Sequence, residues 1–156
     1  MELRDILFQD AILVNWNPTS KEEAITALVD ALDQADLLTN RGQVLQDVME
    51  REASLSTGLE EGIAYPHARS DGVKQVVVAF GIVKNGLSFD SRDQKPARFI
   101  PLMVSPRSGG APHIYFMAEI VKLLEKSEIR NKLLESTSPE EVYRILTGAK
   151  STENAV

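Results

Sequence analysis

The chain has 156 residues and a formal net charge of −6, from 17 basic and 23 acidic residues. A net acidic chain with no basic run and no interleaved aromatic stripe is unsuited to neutralising phosphates along a strand, so nucleic acid is excluded as an expected partner. The length fits one domain that buries its own core, and the absence of cysteine removes disulfides, thiolate nucleophiles and cysteine zinc sites and fits a cytoplasmic protein.

The opening segment MELRDILFQD meets an acidic residue at once and has no long apolar stretch, so no signal peptide is expected. Apolar runs such as residues 11–14 and 99–104 fall far short of the ~20 residues a membrane span needs, and no stable membrane insertion is expected. AILVNWN reads as a short strand leading to Pro18. Thr19 or Ser20 then caps a helix that runs to about Ala35, with Glu22 and Glu23 in capping-box spacing and apolar positions at Ala24, Ile25, Leu28, Ala31 and Leu32. Asn40 with Gln43 repeats the start signal, and Val44, Leu45, Val48 and Met49 form the apolar face of a second helix. EASLSTGLEEG is a polar loop containing glycine.

Residues 63–65 are a short strand candidate, and QVVVAFGIV is a strand rich in β-branched residues. ARFIPLMV is a third strand in which Pro101 suggests an edge position or a bulge. After a flexible SPRSGG, Pro112 fits the first turn of a helix reaching roughly Lys126. Two further helices close the chain, the last announced by Ser138 as cap, Pro139 at the first position and Glu141 completing the box. The expected fold class is therefore α/β: a single domain over residues 1–150, a mixed β-sheet flanked by helices, with residues 151–156 as a disordered tail.

The chain lacks a G-x-x-x-x-G-K-[ST] loop, a G-x-G-x-x-G after a strand and a G-x-S-x-G elbow. RSGGAP is a flexible connection before a helix rather than a phosphate loop, so phosphoryl chemistry would need a donor other than bound nucleotide. Both histidines, His67 and His113, follow proline. A structural, hydrogen-bonded role is open to each. Pro66 nonetheless restrains the backbone that presents His67, and a neutral imidazole at a strand end is a usable nucleophile near neutral pH. No third ligand stands near enough in sequence to suggest zinc, and no metal is expected. Arg51, at the end of the second helix, and Arg69, two residues past His67, supply planar donor forks suited to phosphate oxygens. Alone, each is more often a solvated surface charge or salt-bridge partner, and together with an exposed histidine they form an anion site. Ser56 and Thr57 add hydroxyl donors within what is also a turn sequence.

Arg51-Glu52, Ser56-Thr57-Gly58, Gly62-Ile63-Ala64 and Pro66-His67, in this order, resemble the active-site signature of enzyme IIA domains of the bacterial phosphoenolpyruvate-dependent phosphotransferase system, of the fructose, mannitol and nitrogen-regulatory type. The resemblance extends over most of the chain, from the two helices before the signature through VVVAFGIV and GLSFDSRDQKPARFI to a histidine opening a helix. It implies a phosphotransferase/anion-transport-like sandwich and a phosphocarrier role. The carrier protein HPr would donate a phosphoryl group to His67, which would pass it to an EIIB protein or domain. His113 would be the second active-site histidine, and Arg51 would steady the transferred charge. The family's chemistry requires no cofactor. DSRDQKPARFI is closer to fructose and nitrogen-type members, so fructose- or mannitol-like sugar uptake stands beside signalling to a regulatory protein partner. A non-catalytic interaction module on the same fold is the remaining alternative. Ile63, Tyr65 and Phe116 are candidates for an apolar docking rim. The sequence departs from the family's usual pattern at Glu60, where relatives often carry glycine, and at Tyr65, where an aliphatic residue is usual.

Overall fold

The computed structural model describes residues 2–108 and 111–148. In chain order it contains α1 (Leu3–Ile6), β1 (Leu7–Leu13), α2 (Lys21–Gln34), α3 (Arg41–Ser54), β2 (His67–Arg69), β3 (Val77–Leu87), β4 (Ala97–Ser105), α4 (Ala111–Leu124), α5 (Ser127–Glu135) and α6 (Pro139–Thr147). The expected tail over residues 151–156 lies outside the described residues, as do Gly109 and Gly110 of the flexible connection.

Helix starts follow from local capping. Ser20 Oγ accepts the Glu23 amide at 3.0 Å, Asn40 Oδ1 accepts the Gln43 amide at 3.0 Å, and Ser138 Oγ accepts the Glu141 amide at 3.2 Å. Each bond satisfies one of the amides that a helix N-terminus leaves without an intrahelical partner. Thr19 instead supports the first cap by donating its hydroxyl to Glu23 at 2.8 Å.

The four strands form one mixed sheet in the order β1-β3-β4-β2, with β3 and β4 antiparallel and the two outer pairs parallel. Side chains alternate across it. Val77, Ala79 and Val83 of β3 join Ile100, Leu102 and Val104 of β4 in a core with α2 and α3. Val78, Phe80 and Ile82 join Phe99 and Met103 in a second core with α1, α4, α5 and α6. Helices cover both faces, which explains why VVVAFGIV is apolar at every position rather than at alternate ones. Among the described residues no helix is long and apolar enough to cross a membrane.

Three strand expectations need correction. β1 begins at Leu7 rather than Ala11, because a register break between the Leu7–Val78 and Ile12–Phe80 pairs lets the polar Gln9-Asp10 step stand exposed inside the strand. β4 is an inner strand, with Pro101 opposite Phe80 of β3. The amides of Phe99 and Met103 donate to the carbonyls of Gly62 and Pro66, so by alternation the missing Pro101 N–H falls on that same side and not on the ladder to β3. This also accounts for the third difference. Residues 63–65 make only isolated bridges, and regular pairing with β4 starts at His67.

The loop leading to His67 depends on a close approach at Gly58. A β-carbon there would lie 2.5 Å from the Phe89 carbonyl oxygen and 2.9 Å from Ser91 Cα. Backbone at that distance cannot yield as a flexible side chain would. Gly58→Ala is expected to lower stability by about 2 kcal/mol, read as a reduced urea midpoint at constant m-value. A midpoint equal to wild type would show that the loop adapts without cost.

Candidate functional site

His67 opens the edge strand β2, where the chain is fixed on both sides. Gly62 carbonyl accepts the amides of Arg98 and Phe99 at 2.7 and 3.0 Å, Ala64 N–H donates to Phe99, and Tyr65 N–H donates to the Thr57 carbonyl at 3.0 Å. The turn before this segment has positive φ at Glu61 (62°) and Gly62 (77°). Glu60 is exposed and is not one of the positive-φ residues, so the turn conformation does not require glycine at that position. The half-buried His67 ring places Nδ1 2.8 Å from the Tyr65 carbonyl oxygen. A carbonyl only accepts, so Nδ1 carries the proton and donates, and the lone pair of the neutral ring resides on Nε2. Burial pushes the His67 pKa below its ordinary value of 6.5, assisted by Arg51 and opposed by the Tyr65 bond and Glu52.

His113 sits in the first turn of α4, against the end of β4. Its ring centroid is 5.7 Å from that of His67, with the planes at 59°. Nδ1 of His113 is hydrogen-bonded to Ser105 Oγ. Only 7% of the residue is exposed. Burial, then the positive charge of Arg69 and the neighbouring His67, holds the His113 pKa at about 4. Both rings are therefore neutral at pH 7.

Three arginines from three elements surround the pair. Arg51 comes from the last turn of α3, Arg69 ends β2, and Arg107 follows β4. With Asp47, Glu50 and Ala68 they line an open hollow of about 370 Å³ that contains both histidines. Arg107 is oriented by Asp47 at 3.2 Å and Asp71 at 3.6 Å. The second Asp47 carboxylate oxygen is buried without a hydrogen-bond partner among the described residues. Sequence reasoning missed Arg107 and Asp47. The available signal was that Arg107 is the one cation in SPRSGG, between a strand end and His113.

The structure thus brings Arg51, His67, Arg69 and His113 together. It does not bring Ser56 or Thr57 to the hollow. Ser56 Oγ donates to the Phe89 carbonyl at 2.7 Å, and Thr57 directs both its amide and its hydroxyl to the buried Glu52, at 3.0 and 2.5 Å. Ile63, Tyr65 and Phe116 are corrected as rim candidates: at 2%, 1% and 2% exposure all three belong to the core. Tyr65 packs its ring edge-on to His67 at 6.0 Å. Among the described residues, the exposed large apolar ones are Leu55, beside Arg51, and Ile114 and Tyr115, next to His113, at 66%, 68% and 59%.

Fold and geometry together define an α/β sandwich that presents a restrained, neutral histidine in an arginine-lined hollow. Residues 5–149 match the family described as phosphoenolpyruvate-dependent sugar phosphotransferase system, EIIA 2, and the chain belongs to that family. It is 35% identical over 129 residues to the fructose-specific EIIA component of Haloferax volcanii, covering 83% of this chain and 84% of that one. It is 32% identical over 146 residues to the fructose-specific EIIABC component of Bacillus subtilis, covering 94% of this chain but 23% of that longer protein. The crystal structure of nitrogen regulatory protein IIA-Ntr from Neisseria meningitidis superposes with a TM-score of 0.84 at 29% identity, covering 93% of this chain and 99% of that one.

The depressed His113 pKa has a consequence for stability. Between its ordinary value of 6.5, which the unfolded chain takes, and its folded value of about 4, the unfolded state binds a proton that the native state refuses. Stability therefore falls as pH drops through this window, by on the order of 3 kcal/mol from this residue. Urea unfolding from pH 7 to pH 4 is expected to show a flatter profile for His113→Gln than for wild type. Parallel profiles would mean that His113 titrates alike in both states.

Proposed function

We propose that the chain is a phosphocarrier that accepts a phosphoryl group from phospho-HPr on Nε2 of His67 and passes it to an EIIB partner. The observation that carries this is the 2.8 Å bond from Nδ1 to the Tyr65 carbonyl, which commits one nitrogen to the backbone and leaves the other as nucleophile. In the forward step the Nε2 lone pair forms a bond to phosphorus while the donor's P–N bond breaks, its electron pair returning to the donor imidazole. The His67 ring keeps its Nδ1 proton and gains positive charge, which the Tyr65 carbonyl stabilises. Arg51, Arg69 and Arg107 offset the charge on the equatorial oxygens. Ser105 Oγ and His113 Nδ1 share a hydrogen bond, and in the tautomer in which the hydroxyl donates, His113 carries its proton on Nε2 and serves as a neutral donor to a phosphoryl oxygen. The reverse sequence delivers the group to EIIB, consistent with a relative whose name joins A, B and C components.

Incubation with phosphoenolpyruvate, enzyme I and HPr is expected to add one phosphoryl group to His67, read by mass spectrometry at neutral or basic pH, with long-range ¹H–¹⁵N correlations placing it on Nε2. His67→Ala should remove the label, and His113→Ala should slow transfer roughly 10²-fold while leaving the acceptor in place. An unlabelled wild type would overturn the carrier reading in favour of a non-catalytic interaction module.

Fructose-type uptake is favoured by the 35% identity to a fructose-specific component, and a regulatory role by the 0.84 TM-score to a nitrogen regulatory protein. Rapid onward transfer to the cysteine of a fructose-type EIIB supports the first. A stable phosphorylated chain that no such EIIB discharges supports the second. Leu55, Ile114 and Tyr115 flank the hollow and form the docking rim. Replacing Ile114 and Tyr115 together by Ser should raise KM for phospho-HPr about 10-fold with kcat within about 2-fold. An equal loss in kcat alone would instead assign these residues to the chemistry.

A further inference from the structure

A second hollow, of about 600 Å³, opens between α5 and the β3–β4 hairpin. Its wall carries Lys84, Lys95, Arg98 and Arg130, with Glu61 as the acidic residue among those that line it. Four cations converging in a chain of net charge −6 repel one another and need a reason to be held together. Three of the four heads are oriented by neutral groups. Lys84 Nζ donates to the Ser136 carbonyl at 3.1 Å, Arg98 donates twice to the Lys84 carbonyl at 3.0 and 2.7 Å, and Arg130 donates to the Leu124 carbonyl at 2.8 Å. These carbonyls fix geometry without cancelling charge. Two carboxylates offset part of that charge and leave the four cations in excess. Glu61 stays 3.7 Å from Arg130, and Asp93, beside Lys95, is committed to the amides of Lys95 and Glu61 at 3.0 and 3.1 Å. The Arg130 side chain is only 17% exposed, so its charge is poorly screened by solvent.

We propose that this hollow is a binding site for a small phosphorylated organic anion, separate from the histidine hollow. Its volume falls in the range of small-ligand sites, which argues for a metabolite-sized anion rather than a polymer. Guanidinium and ammonium donors preset by carbonyls are the donor set that phosphate oxygens need, and the Asn131 side chain adds an amide to the wall. The floor includes Gly62, whose carbonyl is bound by the amides of Arg98 and Phe99, so the ligand would rest on the segment that leads to His67. The proposal is independent of the relay and stands even if His67 accepts no phosphoryl group.

The test is a titration of the full chain with sodium pyrophosphate at constant ionic strength, followed by ¹H–¹⁵N NMR and calorimetry. Saturable shifts are expected at the amides of residues 61, 62, 84, 85, 95, 98 and 131. Arg130→Gln and Lys95→Gln should each weaken binding about 10-fold, while Arg51→Gln leaves it unchanged. Lys95 is exposed, so its substitution tests the site without risking the fold. Shifts confined to residues 51, 67–69 and 107 and lost in Arg51→Gln would overturn the proposal, because pyrophosphate would then occupy the histidine hollow alone. Shifts that never saturate, or that Lys95→Gln and Arg130→Gln leave unchanged, would overturn it equally.

Discussion

The buried carboxylate of Glu52 is the interaction on which the site depends. One oxygen receives the Thr57 hydroxyl, and the other receives the Thr57 amide and, at 3.2 Å, the ammonium of Lys21 from α2. That ammonium also lies over the Phe89 ring, 5.4 Å from its centroid. A charge this deep is tolerable only when paired and fully hydrogen-bonded, and here both conditions hold. The consequence runs along the backbone. Thr57, fixed by Glu52, offers its carbonyl to Tyr65 N–H, and Tyr65 in turn offers its carbonyl to His67 Nδ1. A helix-borne acid thus braces the carbonyl that fixes the proton position of an imidazole on another element, through two main-chain steps.

The sheet supplies the complementary constraint. Because β3 and β4 are covered on both faces, their apolar side chains fix register on each side, and a slip would move every one to the wrong core. Pro101 then interrupts pairing on the side of β4 that faces residues 62–66, so this stretch docks through single bridges and regular β structure begins at His67. His67 therefore stands where order resumes, at the sheet edge, held by strand pairing yet open toward the hollow.

What was legible in the sequence divides along the range of the interactions involved. Ser20, Asn40 and Ser138 each bond to an amide three residues away, so their helices could be read from local pattern. The ordered signature around Arg51 and His67 carried the core of the site because most of it is also local. Arg107 and Asp47, by contrast, pair across 60 residues, and nothing near either one announces the other. The misassigned rim has a similar cause. Ile63 and Tyr65 are close to His67 in sequence, but their side chains enter the core shared with Phe116, whereas Ile114 and Tyr115 project outward from the same turn that buries His113 and Phe116. Nearness along the chain identified the neighbourhood and not the face. Pro101 misled for a subtler reason: its cost depends on which side of the strand the missing N–H points to, and that is decided by the partner strand.

The same balance of burial and charge explains why a site of this kind is only half enclosed. A fully exposed histidine would keep an ordinary pKa and face strong competition from water for the phosphoryl group. A fully buried one would be unreachable from solvent. Here His67 is half-buried, so desolvation favours the neutral imidazole while its edge position keeps the ring on the wall of the open hollow. His113 takes the deeper position, and burial keeps it neutral beside Arg69. The arginines complete the division of labour. Permanently charged, they give the hollow a positive field suited to an anion, and the carboxylates of Asp47 and Asp71 hold Arg107 on the wall it shares with both imidazoles.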